Sequence, residues 1–180
     1  MRVISGSARG TVLKTPDGMK TRPTADRVKE ALFSILQFEL PGANVLDLFG
    51  GTGQLGIEAL SRGAKRAVFI DEQAAACKLI KENLSRCKLN SKGQVIQADY
   101  MTYLKRCAEK FEIILLDPPY AEVFLENALK MITEIDILQS GGIIATERPL
   151  EKELTLDFPG YTRSKDYKYG KTLLTLYRKA

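Results

Sequence analysis

Ile113-Ile114-Leu115-Leu116-Asp117-Pro118-Pro119-Tyr120 is an unbroken apolar run that ends on a carboxylate, two prolines and an aromatic ring. Four consecutive large apolar residues predict a strand buried on both faces, as in a parallel sheet. Open α/β sheets place their ligands outside the carboxyl ends of the strands, and Asp117 falls at such an end. The two prolines fix φ and remove two backbone N–H donors, so carbonyls outnumber donors along this lip. An acid, free carbonyls and a ring suit a flat base carrying an exocyclic amine.

Outward from this strand the pattern alternates. Strands are predicted over 45–49, 67–71, 95–97, 113–116 and 142–146, with helices over 55–61, 72–88, 100–108 and 122–138 between them. Leu125, Leu129, Ile132 and Ile135 would form the inward stripe of the last helix. Before this core, 2–5 and 11–14 read as short strands around Gly6-Ser7-Ala8-Arg9-Gly10, and a helix over about 25–38 follows, with Thr24 as its N-cap. After it, 162–167 and 173–177 read as a hairpin around Lys168-Tyr169-Gly170-Lys171. Repeated βα units predict an α/β fold: a doubly wound, mostly parallel sheet with an antiparallel C-terminal hairpin and a small N-terminal β-hairpin arm. At 180 residues it is read as one domain, with an arm over 1–23 and a core over 24–180.

Composition narrows the chemistry. The chain has no His, which excludes imidazole bases, His–metal sites and Ser/Cys-His nucleophile systems. Cys77, Cys87 and Cys107 are scattered without a C-x-x-C, so they read as reduced thiols and no metal site is expected. No apolar run approaches a membrane span and the N-terminus has no apolar leader, so a cytoplasmic protein is expected. The net charge of +5 is uneven: residues 1–30 carry seven Lys/Arg against three Asp/Glu, and 161–180 carry six against one, around an acidic middle. Basic ends suggest a polyanionic partner. A solvated basic face is the alternative.

The first core strand runs into Asp47-Leu48-Phe49-Gly50-Gly51-Thr52-Gly53-Gln54-Leu55-Gly56. Gly51-x-Gly53-x-x-Gly56 matches the dinucleotide fingerprint literally, and its glycines allow a sharp turn and close approach to a ligand. Asp71 ends the second strand, where a carboxylate can hold a ribose diol. Asp99 ends the third, in place to accept from an adenine amine. Asp47 beside the turn is poor company for a pyrophosphate and suits a cofactor with a cationic sulfonium and an ammonium group. Each acid alone could be a helix cap or a solvated strand end.

Here the residues resemble a family. Asp47-Leu48-Phe49-Gly50-Gly51-Thr52-Gly53 resembles the S-adenosylmethionine motif of class I methyltransferases, and Asp117-Pro118-Pro119-Tyr120 resembles the (Asp/Asn)-Pro-Pro-aromatic motif of enzymes that methylate exocyclic base amines. Gly6-x-x-Arg9-Gly10, followed by Thr21-Arg22-Pro23-Thr24-x-x-Arg27-x-x-Glu30-Ala31-Leu32-Phe33, resembles the bacterial family that methylates guanine N2 in small-subunit (16S) ribosomal RNA. The resemblance covers essentially the whole chain. Gly50 stands where alanine is more usual, and the polar Gln54 follows Gly53; both leave the glycine turn intact.

The resemblance implies a Rossmann-like fold and S-adenosylmethionine as cofactor. It places Asp47, Phe49, Gly50, Gly51, Thr52, Gly53, Asp71, Glu72, Asp99 and Tyr100 around that cofactor, and Asp117, Pro118, Pro119 and Tyr120 at the reacting base. Arg9, Lys14, Lys20, Arg22, Thr24 and Arg27 are the candidates for RNA contact; Arg22 and Arg27 could instead brace the acidic loop. The implied partner is ribosomal RNA, naked or in a partly assembled subunit, and a monomer is the default. The alternatives are an adenine-N6 methyltransferase, a NAD-dependent oxidoreductase and a non-catalytic RNA-binding protein.

Overall fold

The computed structural model describes residues 1–18, 23–119 and 122–180. In chain order the elements are α1 (Pro23–Ile35), β1 (Asn44–Asp47), α2 (Gln54–Ser61), β2 (Arg66–Asp71), α3 (Ala74–Arg86), β3 (Gly93–Gln97), α4 (Tyr100–Arg106), β4 (Phe111–Leu116), α5 (Glu122–Ile135), β5 (Leu138–Pro149), β6 (Tyr161–Arg163), β7 (Tyr167–Tyr169) and β8 (Thr172–Lys179). The strand order is β3-β2-β1-β4-β5-β8-β6, with β7 also on β8. The first five are parallel, and β8 runs antiparallel to β5.

The apolar run that starts at Ile113 lies near the middle of this sheet. Ile113 and Leu115 face the core under α1, α2 and α3, while Ile114 and Leu116 face the one under α4 and α5. Burial on both faces is why the run lacks alternation. Chain order 1-2-3 runs one way from β1 and 4-5 the other, so the switch point lies between β1 and β4 and their carboxyl ends open one crevice. No helix among the described residues is long and apolar enough to cross a membrane.

The structure departs from the sequence reading where partners are distant in the chain. β5 runs past 142–146 at both ends: Leu138 pairs with Phe111 of β4, and β8 pairs with the strand from Ile143 to Pro149. The tail is not one hairpin: β6 and β7 both pair with β8, separated where Asp166 turns in to accept from Arg148, Arg163 and Thr175. Ile135 is 37% exposed rather than inward, since α5 ends there and the chain turns through Asp136 at φ 58°. The first helix ends at Ile35, short of 38, and the side chain of its expected cap, Thr24, lies outside the described residues.

The N-terminal arm has the expected shape, with one bridge between Arg2 and Val12 in place of two strands. It is also bolted down. Buried Glu58 accepts the N–H groups of Ile4 and Ser5 at 2.9 and 3.0 Å, and Ser61 Oγ accepts that of Ala8 at 2.9 Å. A Cβ on Gly6 would lie 1.8 Å from the Ser61 carbonyl oxygen, so only glycine fits this contact at φ +86°. Lys29, whose pKa burial lowers, lies 3.6 Å from Glu58 and donates to the Arg2 carbonyl at 2.7 Å.

Candidate active site

The glycine loop leaves β1 and turns into α2. Gly50 N–H donates to the Ile70 carbonyl at 2.7 Å, and Gly53 N–H to the Gly50 carbonyl at 2.7 Å. Gly51 and Gly53 sit at φ 55° and 80°, the left-handed region that glycine enters without a Cβ penalty. Gly56 serves packing: a Cβ there would lie 2.3 Å from the Phe69 ring, so α2 lies directly on β2.

Along the carboxyl edge stands a row of acids in sheet order: Asp99 beyond β3, Asp71 on β2, Asp47 on β1, Asp117 beyond β4 and Glu147 on β5. Their surroundings differ. Asp99 is exposed and caps α4, its Oδ1 accepting the Thr102 N–H at 3.0 Å; the Thr102 hydroxyl and N–H hold its carboxyl below the usual range. Asp71 accepts the Gly51 N–H through Oδ2 and the Gln73 N–H through Oδ1, both at 2.9 Å. So the two acids assigned to ribose and adenine also tie down local backbone, leaving their remaining lone pairs for a ligand.

Asp47 is 1% exposed. Its Oδ2 accepts the Gly56 N–H at 3.0 Å, and its Oδ1 has no partner among the described residues. Burial pushes it up to about 7; the Gly56 N–H opposes the rise, and the Asp117 and Asp71 charges add to it.

Asp117 is half-buried at the head of the proline lip, and burial raises it to about 6. It accepts no hydrogen bond from any described residue. Pro118 and Pro119 line a recess with Glu147, Arg148 and Leu154. Tyr120 lies outside the described residues.

The other predicted residues divide. Phe49 and Tyr100 meet at a tilt, with ring centroids 5.2 Å apart, and share Phe124 of α5, forming an aromatic cluster beside the glycine loop. Glu72 is exposed beside Asp71. Thr52 sits in the glycine loop with its hydroxyl bonded to Met1 Sδ at 3.4 Å and its carbonyl accepting from Asn83 at 2.9 Å. Asn83 also exchanges two hydrogen bonds with the Lys14 backbone, joining the arm to the glycine loop.

Of the RNA candidates, Arg9 and Arg27 are exposed and make no ion pair among the described residues, so Arg27 does not brace the acidic loop. Lys14 is held by Glu82 at 2.8 Å, an exposed pair that phosphate can displace. Lys20, Arg22 and the side chain of Thr24 lie outside the described residues.

Glu147 and Phe124 escaped the sequence reading. The local pattern puts the end of the fifth strand at Thr146, whereas β5 continues three residues further to Pro149 and so carries Glu147.

A family model described as Conserved hypothetical protein 95 matches residues 1–178. The chain is 40% identical to the YlbH protein of Bacillus subtilis (strain 168), over 99% of both chains. It is 31% identical to ribosomal RNA small subunit methyltransferase D of Escherichia coli (strain K12), over 99% of this chain and 90% of that one. The solved structure of the Escherichia coli protein yhhF matches with a TM-score of 0.90 at 29% identity, covering 99% of this chain and 97% of that one.

Proposed function

The chain belongs to the Conserved hypothetical protein 95 family of class I, S-adenosylmethionine-dependent methyltransferases, and from that premise we propose that it methylates the exocyclic N2 amine of a guanine in small-subunit ribosomal RNA. The observation that carries this reading is Asp117: a carboxyl raised by burial, with no donor among the described residues, on a lip of two prolines at the topological switch point. An acceptor kept this way suits a ligand that brings its own N–H groups. The small-subunit assignment rests on the likeness to the Escherichia coli relative and on the N-terminal motif around Arg9 and Arg27.

The residues fit the cofactor. The glycine turn offers close approach, and the orphaned Oδ1 of Asp47 asks for a cation or a donor beside it. A pyrophosphate there would meet a buried acid, which argues against NAD. When bound, S-adenosylmethionine supplies a methyl group on a cationic sulfur. Asp47, Asp71 and Asp99 would hold it through its donor groups, with Phe49 and Tyr100 beside the adenine.

The guanine amine is a poor nucleophile because its lone pair is delocalised into the ring. Asp117 and the Pro118 carbonyl accept its two N–H groups, which turns that lone pair out of conjugation and aims it. Tyr120 stacks on the flipped base. As the N–C bond forms the nitrogen becomes cationic and acidic, and Asp117 is placed to pass its proton to water. No imidazole is required. The test is nucleoside mass spectrometry of small-subunit RNA from a strain lacking the gene, after incubation with the protein and methyl-labelled cofactor. N2-methylguanosine is expected; N6-methyladenosine, or no product on RNA or assembled subunits, overturns the reading.

A further inference from the structure

Glu147 has no role in the reaction as derived so far, yet the fold sets it beside the reacting group. Leu116 of β4 pairs in register with Thr146 of β5, so the next residues, Asp117 just beyond β4 and Glu147 within β5, lie at the same level. Both border the proline lip, Glu147 lining the recess that Pro118 and Pro119 form. Glu147 accepts no hydrogen bond from any described residue. Its cationic neighbour in the strand is committed: Arg148 donates through Nε to the Lys152 carbonyl at 2.8 Å, through Nη1 to Thr175 at 2.6 Å and through Nη2 to Asp166 at 2.8 Å. Two half-buried carboxyls thus stand side by side at the edge of this recess, and among the described residues neither has a hydrogen-bond donor or an ion-pair partner.

Resting on the guanine reading above, we propose that Glu147 is the specificity-determining acceptor for guanine N1–H, set one strand away from the acceptor of the amine. The argument is the shape of the base. When the N2 amine lies on Asp117, the atom next to it on the Watson–Crick edge is N1, which in guanine carries a hydrogen. In adenine, with N6 on Asp117, the adjacent N1 is a bare lone pair and meets a carboxylate oxygen head on. A second acid one strand spacing away rewards the first base and repels the second. A site built to hydrogen-bond a substrate N–H rejects analogues lacking it more strongly than an apolar pocket could.

The electrostatics agree. Burial raises Glu147 to about 8, with the Asp117 charge adding to the rise. The other charged groups lining the recess are Glu126 of α5, Arg148, and Lys152 and Glu153 beyond β5. In the empty protein the Asp117–Glu147 pair therefore retains a proton near neutrality, and full acceptance of N1–H and the amine releases it. Guanine engagement strengthens as pH rises toward 8.

The test uses the full chain and a small-subunit RNA fragment carrying, at the mapped position, guanosine or 2-aminopurine riboside, which keeps the 2-amine but lacks N1–H. Wild type should prefer guanosine by at least ~100-fold in kcat/KM. E147A should cut that preference at least tenfold, mainly through kcat, with S-adenosylhomocysteine affinity unchanged. E147Q keeps a carbonyl acceptor, so it should retain turnover within about tenfold of wild type while its rate climbs less steeply than wild type between pH 7 and 8, the rise that remains coming from Asp47 beside Asp117. An unchanged guanosine preference in E147A overturns the inference; should E147A fail to fold, a wild-type pH profile in E147Q overturns it instead. Absence of N2-methylguanosine with wild type would overturn the underlying function, so the two failures are told apart.

Discussion

The two halves of the carboxyl edge carry the same kind of side chain and treat it in opposite ways. On the β2–β3 side, Asp71 and Asp99 accept from Gly51, Gln73 and Thr102, so they shape the loops that surround them. On the β4–β5 side, Asp117 and Glu147 accept from no described residue, and burial raises both. Asp47 on β1 stands between, with one oxygen bonded and the other without a partner among the described residues. The contrast separates binding from reacting. Acids that already hold backbone form a rigid cradle, which a cofactor can enter without reorganising it. Acids kept desolvated and unpaired are costly in the empty protein, and that cost is relieved when a donor-bearing base arrives.

The largest expected effect tests that separation at its sharpest point. Asp117→Ala should lower turnover by on the order of 10²–10³-fold, the scale for losing one preorganised partner of a reacting group. S-adenosylhomocysteine binding, followed by calorimetry, should stay within about threefold of wild type, because the cradle lies on other strands. Turnover close to wild type would erase the distinction between the halves.

The intermediate position of Asp47 makes a second test, of stability. A carboxyl raised in the folded state favours folding when protonated. Its contribution is fully present below its unfolded value of 3.8 and is lost as pH rises through about 7. Roughly three pK units correspond to at most about 4 kcal/mol. The cofactor-free protein should therefore melt lower at pH 8 than at pH 5. Asp47→Asn keeps an acceptor for the Gly56 N–H and removes the charge, so it should flatten this slope while weakening cofactor binding. Asp117 and Glu147 bias stability the same way, so some slope should survive. A slope identical to wild type would place the burden elsewhere on the edge.

Much of this edge was legible in the sequence because its signals are local. A run such as Ile113–Leu116, or the Gly51-x-Gly53-x-x-Gly56 turn, depends on neighbours a few residues away, and strand ends mark where side chains emerge. What escaped depends on pairing across the chain. Glu147 belongs to β5 only because β8, some thirty residues later, extends that strand to Pro149. Glu58 and Asn83 look like solvated helix polars until the arm folds over α2 and α3 and presents its backbone to them. The bond from the Thr52 hydroxyl to Met1 likewise exists only because the arm lies behind the loop. Asp166 interrupts a plausible strand because its partners, Arg148 and Thr175, lie on other strands.

The smallest expected effect concerns what both halves share, which is negative charge. Neither offers a place for phosphate, so an RNA backbone must be gripped outside the edge while one base reaches in. Arg9 on the arm and Arg27 on α1 are exposed and unpaired among the described residues, whereas Lys14 first has to leave Glu82. Replacing Arg9 or Arg27 with Ala should each reduce the slope of log affinity against log salt by about one, as expected for one lost phosphate contact. Lys14→Ala should reduce it by less, because phosphate binding there also breaks an ion pair. Filter binding across a salt series reads all three, with kcat at saturating RNA unchanged. If the slopes do not move, the basic ends are solvated surface, and the RNA is held by the base and by segments beyond these residues.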